Sequence, residues 1–229
     1  MLLLSSLSAL SQTVSYSYSD LVSRLTNLEY LATLPVTGDR CALFSSYDRG
    51  SYYNTNTGQY VNWDANNDCC GIIRTEGANS VLAEMTGPGC IWRMWSATPS
   101  SGHVRIYLDG TNGPPVVDLP FSAYFDGLHP PFTNSAIVHT TPANGWNNYT
   151  PIPYQTSCKI VADPGWGSYY QFTYETFPTN TQVPTFDMQL APADAAALAN
   201  VIQVLSNCGS DPAGARPAKL TPVPPSVNN

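Results

Sequence analysis

The stretch VLAEMTGPGCIWRMWSA, residues 81–97, contains two short apolar runs separated by a tight-turn signal. The runs 81–85 and 90–97 are rich in branched and aromatic side chains, and Gly87, Pro88 and Gly89 lie between them. Such runs favour strands, and a Gly-Pro-Gly sequence favours a chain reversal. The stretch therefore predicts two neighbouring β-strands.

Eight further segments have the same character, because each is a short run bounded by turn residues. They are 41–48, 70–75, 103–108, 115–119, 136–140, 156–162, 169–177 and 183–190. Segment 103–108 alternates polar and apolar residues, so one face of it is expected to be buried and the other wet. Ten strands at this spacing predict an all-β fold, a single jelly-roll β-sandwich.

One helix is expected on each side of these strands. A short N-terminal helix, with Ser19 or Asp20 as its cap, is indicated by leucines at helical spacing, namely Leu21, Leu25, Leu28 and Leu31. A C-terminal helix is expected to open at Pro192 and to close at Gly209. The jelly-roll domain is thus assigned to residues 19–209, between an apolar and Ser/Tyr-rich tail at 1–18 and a Pro-rich tail at 210–229.

The composition excludes several functional classes. The chain has 229 residues, with 9 Lys and Arg against 16 Asp and Glu, a formal net charge of −7. Nucleic-acid binding is not expected without a basic surface, and no apolar run reaches the roughly 18 residues that a membrane span needs. Motifs for nucleotides, cofactors or metal ions are also absent, so no cofactor and no metal site is expected.

Cysteine usage favours an extracellular or cell-surface location. Only 11% of residues are charged, and the cysteines are even in number: Cys41, Cys69, Cys70, Cys90, Cys158 and Cys208. These six are disulfide candidates, although the sequence does not choose among their 15 possible pairings. The alternative is that several of them are buried free thiols.

Both tails carry candidate sites. The apolar residues of the N-terminal tail are Leu2, Leu3, Leu4, Leu7 and Leu10. We expect them either to pack on their own domain or to add a strand to a neighbouring subunit. The same tail is alternatively the remnant of a signal peptide. Thr221 and Ser226, among the C-terminal prolines, are candidates for O-glycosylation, and Asn148 begins the one N-glycosylation sequon.

Carboxylates and aromatic residues supply the candidate chemistry. Glu84 and Glu175 lie on predicted strands and form the best candidate pair for glycoside hydrolysis, unless they are merely part of a solvated face. Trp92 and Trp95 are expected to fill the core. The polar stretch 50–67 is too hydrophilic for a core, so a glycan- or partner-binding surface is expected from Tyr47, Tyr52, Tyr53, Tyr60 and Trp63.

Five segments in the correct order carry a family resemblance. They are SSYDR at 45–49, VLAEM at 81–85 running into GPGCIWRMW at 87–95, RIYLDG at 105–110, NYTPIPY at 148–154 and YYQFTY at 169–174. From about Leu21 to Phe186 the chain resembles glycoside hydrolase family 172. The resemblance implies a jelly roll of the viral-capsid kind, oligomeric assembly and a link to carbohydrate. Enzymes of that family act on furanosides and carry two jelly rolls, with the catalytic glutamates in the second.

No residue of this chain matches those catalytic glutamates, and no second set of strands follows Phe186. We therefore expect an extracellular, carbohydrate-associated and non-catalytic subunit that self-assembles into an oligomer or filament. One alternative is a furanoside hydrolase that uses Glu84 or Glu175 in a site completed by another subunit. Another is a carbohydrate-binding module that uses the aromatic stretch from Tyr47 to Trp63.

Overall fold

The computed structural model describes residues 13–69, 71–207 and 209. Several residues singled out from the sequence lie outside these ranges. They are the tail leucines Leu2, Leu3, Leu4, Leu7 and Leu10, the cysteines Cys70 and Cys208, and the glycosylation candidates Thr221 and Ser226.

Within the described residues the chain forms three α-helices, one turn of 3-10 helix and 15 strands. The order is α1 (Tyr18–Ser23), α2 (Leu28–Leu31), β1 (Arg40–Ser45), β2 (Tyr52–Asn54), β3 (Gln59–Val61), β4 (Arg74–Glu76), β5 (Asn79–Thr86), β6 (Gly89–Ser96), β7 (His103–Leu108), β8 (Val117–Pro120), the 3-10 turn (Phe121–Tyr124), β9 (Leu128–His129), β10 (Phe132–Thr133), β11 (Val138–Thr140), β12 (Trp146–Asn148), β13 (Ile152–Tyr154), β14 (Ser157–Ala162), β15 (Gln171–Thr176) and α3 (Pro192–Ser206).

Two antiparallel sheets pack face to face and form a β-sandwich. One sheet has the order β1-β15-β6-β12-β11, with β13 also paired to β6, and the other has the order β4-β5-β14-β7-β8. The pairs β2–β3 and β9–β10 form separate small hairpins. This architecture confirms the predicted all-β sandwich with short N-terminal helical structure and one C-terminal helix.

The core lies between the two sheets, where alternate side chains of each strand meet. Leu82 and Ile106 of one sheet, and Met94 and Phe172 of the other, are fully buried in it. Tyr170 also reaches the core and donates its phenolic hydrogen to the carbonyl oxygen of Leu82 at 2.9 Å. Tyr170 thus contributes apolar area to the core while its hydroxyl group is satisfied.

The N-terminal helix differs from the prediction because the chain forms two short helices. Ser17, rather than Ser19 or Asp20, caps α1, and Asp20 completes a capping box with it. Leu21 is fully buried, whereas Leu28 and Leu31 in α2 are 52% and 77% exposed. The leucines therefore do not form one continuous helical face, and their spacing did not reveal the break between the helices.

The predicted strand at 183–190 is also wrong. This segment follows the sandwich as extended chain, held by bonds such as that from the Phe186 N–H to the Pro153 carbonyl at 2.9 Å. Conversely, strands of two or three residues such as β12 and β13 were not predicted, because runs so short have no measurable periodicity. No helix among the described residues is long and apolar enough to cross a membrane.

Three disulfide candidates, Cys41, Cys90 and Cys158, are free thiols. Cys41 on β1 and Cys90 on β6 both lie opposite Glu175, on either side of β15. Two strand spacings, about 10 Å, separate their Cα atoms, which exceeds the roughly 7 Å that a disulfide allows. Cys158 is buried in the other sheet. No disulfide therefore joins these three residues in the described structure, and the pairing of the six cysteines stays a prediction.

Candidate functional site

A bulge in the six-stranded sheet places two adjacent side chains on its outer face. Thr173 of β15 pairs with Arg93, but Tyr174 pairs with Ile91, so Trp92 has no residue opposite it. Ile91 and Met94 are fully buried in the core. Because a bulge inserts one extra residue, Trp92 and Arg93 can both lie on the outer side.

The outer face also carries a buried ion pair. Glu175 on β15 contacts Arg24, which follows α1, with 3.3 Å between Oε2 and the guanidinium nitrogen. The two side chains are only 9% and 8% exposed, because the N-terminal helical region covers this part of the sheet. Trp92 donates its indole N–H to the same carboxylate oxygen at 2.9 Å.

Aromatic rings surround the guanidinium of Arg24. Its central carbon lies 4.5 Å from the ring centroid of Tyr16 and 4.4 Å from that of Tyr30, with Trp92 and Phe177 slightly farther away. These cation–π contacts help to hold a charge that has left water. Burial raises the pKa of Glu175 above its usual range, although Arg24 and the indole N–H of Trp92 act in the opposite direction.

A cavity of about 280 Å³, here called the outer-face pocket, opens beside this ion pair. The residues that line it include Arg24, Tyr30, Trp92, Arg93, Tyr149 and Glu175. Two strands of one sheet, the loop after β12 and the N-terminal helices therefore contribute to one concave surface. Its combination of aromatic walls and a few polar groups is typical of a small-molecule site.

Arg93 is held by neutral groups. Its guanidinium donates to Oδ1 of Asn147 at 3.1 and 3.2 Å, and to Oε1 of Gln171 at 3.1 Å. The rings of Trp95 and Tyr149 each lie 6.0 Å from its central carbon. In the described part of the chain no carboxylate forms an ion pair with Arg93. The guanidinium is thus fixed in position with its charge unbalanced by the protein.

Glu84 lies on the other side of the sandwich. It belongs to an exposed network on the five-stranded sheet, in which Arg74 binds both Glu84 and Glu76 at 2.6 Å, and Lys159 binds Glu76 at 2.7 Å. The hydrogen bond from Arg74 lowers the pKa of Glu84, so this carboxylate stays ionised. Glu84 and Glu175 are on the outer faces of different sheets, and packed sheets lie about 10 Å apart. One chain does not bring them together.

The aromatic surface predicted from the sequence is exposed. Tyr52, Tyr53 and Tyr60 lie on the β2–β3 hairpin and are 53%, 51% and 67% exposed, while Tyr47 and Trp63 flank it at 52% and 80%. Tyr53 and Tyr60 contact each other across the strands, with 5.1 Å between ring centroids. The stretch is therefore accessible, and its role as a glycan or partner surface stays a prediction.

The sequon at Asn148 is not an accessible glycosylation site. Asn148 is fully buried, and its side-chain nitrogen donates to the Tyr124 carbonyl at 2.8 Å. Its Oδ1 accepts a hydrogen bond from the Thr150 N–H at 2.9 Å. The sequon pattern reports only residue order, so burial of the acceptor was not visible in the sequence.

Several residues of the outer-face pocket were missed or misassigned from the sequence. Trp92 and Trp95 were expected in the core, but they lie half-buried on the outer face. No pattern assigned a role to Arg24 or to Arg93, although Arg93 lies in the GPGCIWRMW segment, because the partners of each residue lie far away in the chain. The one available signal was the adjacent Trp92-Arg93 pair, which breaks the alternation of β6. No cluster of three or more potential metal ligands occurs among the residues that the structure describes.

Comparison with known protein families agrees with this architecture. A family model described as the GH172 first β-sandwich domain matches residues 37–194, from just before β1 to the start of α3. The match covers well over half of the chain. A search of curated proteins found no match.

Proposed function

The chain belongs to the GH172 family through its first β-sandwich domain, and from this premise we propose that it is an extracellular, carbohydrate-associated subunit that assembles with further copies of itself. The observation that carries the proposal is a pair of exposed apolar surfaces, different in composition, at opposite ends of strand β1. Large exposed apolar surfaces on soluble proteins mark interaction sites.

The first surface, the leucine segment, spans residues 28–36. Leu28, Leu31, Leu34 and Val36 are 52%, 77%, 93% and 44% exposed. The segment leads into the first residue of β1, and Gly38 lies against Pro178, just beyond the last residue of β15. The leucine segment is therefore near the end of the sheet where β1 begins.

The second surface is the aromatic hairpin, formed by β2, β3 and the flanking Tyr47 and Trp63. It follows the last residue of β1. Arg49 connects it to that end of the sheet by donating to the Ser45 carbonyl at 3.1 Å and to the Tyr170 hydroxyl at 3.4 Å. Because a strand of six residues is about 20 Å long, the two surfaces are well separated.

Contact between two different surfaces produces head-to-tail association. Such a contact generates a ring if its rotation closes and a filament if it does not. The free edge of β1, which pairs with β15 on one side only in the described sheet, offers unpaired backbone groups to the same assembly. A second copy of this chain supplies both halves of the contact, so it is the occupant we propose.

Sedimentation velocity and electron microscopy test the assembly. The variants Leu34→Glu/Val36→Glu and Tyr60→Glu/Trp63→Glu should each be monomeric, and mixing them should give dimers at most, because one intact surface remains on each. Leu128→Glu, at a residue 76% exposed on β9, is the matched control and should still assemble. A monomeric wild-type protein, or a control as damaging as the two variants, would overturn the proposal.

The extracellular location rests on composition, since the chain is poor in charge and rich in Tyr. Protease accessibility of a tagged protein on intact cells tests it.

The alternative of a furanoside hydrolase rests on Glu175, because a carboxyl group with a raised pKa suits general acid catalysis. A hydrolytic site would require a second carboxylate from another subunit.

A further inference from the structure

We propose that the outer-face pocket binds one acidic sugar unit of a polysaccharide, with the carboxylate of a uronic acid bound by Arg93. The inference does not depend on self-association, so the two proposals can fail separately. It follows from the charge balance, size and wall composition of the pocket.

The charged residues that line the pocket have a net positive charge. Glu175 and Arg24 neutralise each other as a buried ion pair, whereas the described partners of Arg93 are all neutral, and its hydrogen bonds go to Asn147 and Gln171. No carboxylate among the described residues forms an ion pair with the Arg93 guanidinium, so its positive charge is left unbalanced in the pocket. An anionic group of a ligand would balance it.

The guanidinium of Arg93 is also well positioned for a carboxylate. Three hydrogen bonds to Asn147 and Gln171 fix its plane before any ligand arrives. A guanidinium has five N–H donors, and Asn147 and Gln171 occupy one each on Nε, Nη2 and Nη1, which leaves one N–H on each terminal nitrogen of Arg93 for a carboxylate. Fixing the fork in advance lowers the entropy that binding must remove.

The walls and size of the pocket fit a sugar ring. Trp92, Tyr30 and Tyr149 border a cavity of about 280 Å³, close to the lower limit of about 300 Å³ for ligand sites and suited to a single ring. Aromatic faces can stack on the apolar face of a sugar while polar neighbours meet its hydroxyl groups. A free inorganic anion would use Arg93 but would leave these walls unused.

Nuclear magnetic resonance titration of the wild-type protein distinguishes the possible ligands. Methyl glucuronide and methyl glucoside differ only in the group at C6, a carboxylate in the first and a hydroxymethyl in the second. The glucuronide should shift the indole N–H signal of Trp92, and the glucoside should bind at least about tenfold more weakly, since a charge-assisted bond is lost. Equal binding of both sugars, equal shifts with sodium sulfate, or no shift with any of the three would overturn the proposal.

Three variants test whether Arg93 is responsible for glucuronide binding. Arg93→Gln should weaken glucuronide binding by about tenfold or more, because it removes the charged fork. Arg74→Gln on the opposite sheet is the matched control and should bind as the wild type does. Circular dichroism confirms folding of each variant, and Arg93→Lys should recover part of the affinity if Arg93→Gln is unstable. Undiminished binding by folded Arg93→Gln would rule out the assignment.

Discussion

Trp92 and Glu175 face each other across strands β6 and β15, with the indole N–H 2.9 Å from the carboxylate oxygen Oε2. This contact exists because the bulge in β6 places Trp92 on the outer face, on the same side as Glu175. Arg24 completes the group from the N-terminal helical region. The ion pair therefore connects the helices to the sheet and forms one wall of the outer-face pocket.

Removal of Arg24 should destabilise the fold. Arg24→Met leaves the buried Glu175 carboxylate without its counter-charge, and we expect a loss of about 3 kcal/mol in the free energy of unfolding at pH 7. Arg24→Met/Glu175→Gln should recover much of this loss, because no buried charge remains. Urea denaturation measures the coupling energy between Arg24 and Glu175 when it is applied to the wild type, both single variants and the double variant. Strictly additive changes in the free energy of unfolding would contradict the prediction.

The effect of Arg24→Met should also depend on pH. Glu175 has a pKa raised by burial, so its contribution to stability is most favourable below the unfolded pKa and is lost as the pH rises through the folded pKa. Without Arg24 the folded pKa should rise further. The cost of Arg24→Met should therefore shrink from pH 7 towards pH 4, where Glu175 is protonated, and a cost independent of pH would count against this account.

Asp109 should contribute stability with the opposite pH dependence. Burial works against its ionisation, but hydrogen bonds from Thr156, Thr185 and Ser157 together hold its pKa below the usual range. Its contribution is present above the unfolded pKa of about 3.9 and is lost as the pH falls through the folded pKa.

Asp109→Asn keeps a residue that tolerates the positive φ of 55° at this turn but removes the charge. We expect a loss of about 1–3 kcal/mol at pH 7 that fades below about pH 4. Thermal unfolding across this pH range checks the prediction, and Asp118→Asn serves as a carboxylate control on the neighbouring strand. An equal loss at pH 3 and pH 7 would be inconsistent with it.

Thiol labelling should distinguish the cysteines. Cys41 is exposed, whereas Cys90 and Cys158 are buried. Partial burial raises the pKa of Cys41, so its labelling by maleimide without reductant should be slow near pH 7 and faster at higher pH. Mass spectrometry of peptides identifies the labelled residue, and Cys41→Ser is the control. Labelling of Cys90 or Cys158 in the native protein would contradict the described burial.

The isolated chain should not hydrolyse furanosides. Glu84 and Glu175 lie on different sheets, and glycoside hydrolysis needs two carboxylates within about 5–9.5 Å. Release of a chromogenic aryl alcohol from arabinofuranosides and fructofuranosides should equal the blank rate. Activity that is lost in Glu175→Gln but kept in Glu76→Gln would instead support the hydrolase with a site completed by another subunit.

Much of the fold could be predicted from local patterns. The strand at His103–Leu108 matches its prediction, because strict alternation at a half-buried strand is a strong signal. The C-terminal helix begins at Pro192 as expected. Short strands such as β12 and β13, and the break between α1 and α2, escaped prediction because they depend on pairing and packing partners elsewhere in the chain.

Some features of the candidate site could likewise be predicted from the sequence, whereas others depend on tertiary contacts. The net charge argued against nucleic-acid binding, and the order of the motifs pointed to the family, because both are properties of the linear chain. Only the tertiary structure brought Arg24 to Glu175, 151 positions apart, and turned Trp92 and Arg93 to one face. Alternation assigns faces only while the register is regular, and a bulge changes the register through contacts between distant strands.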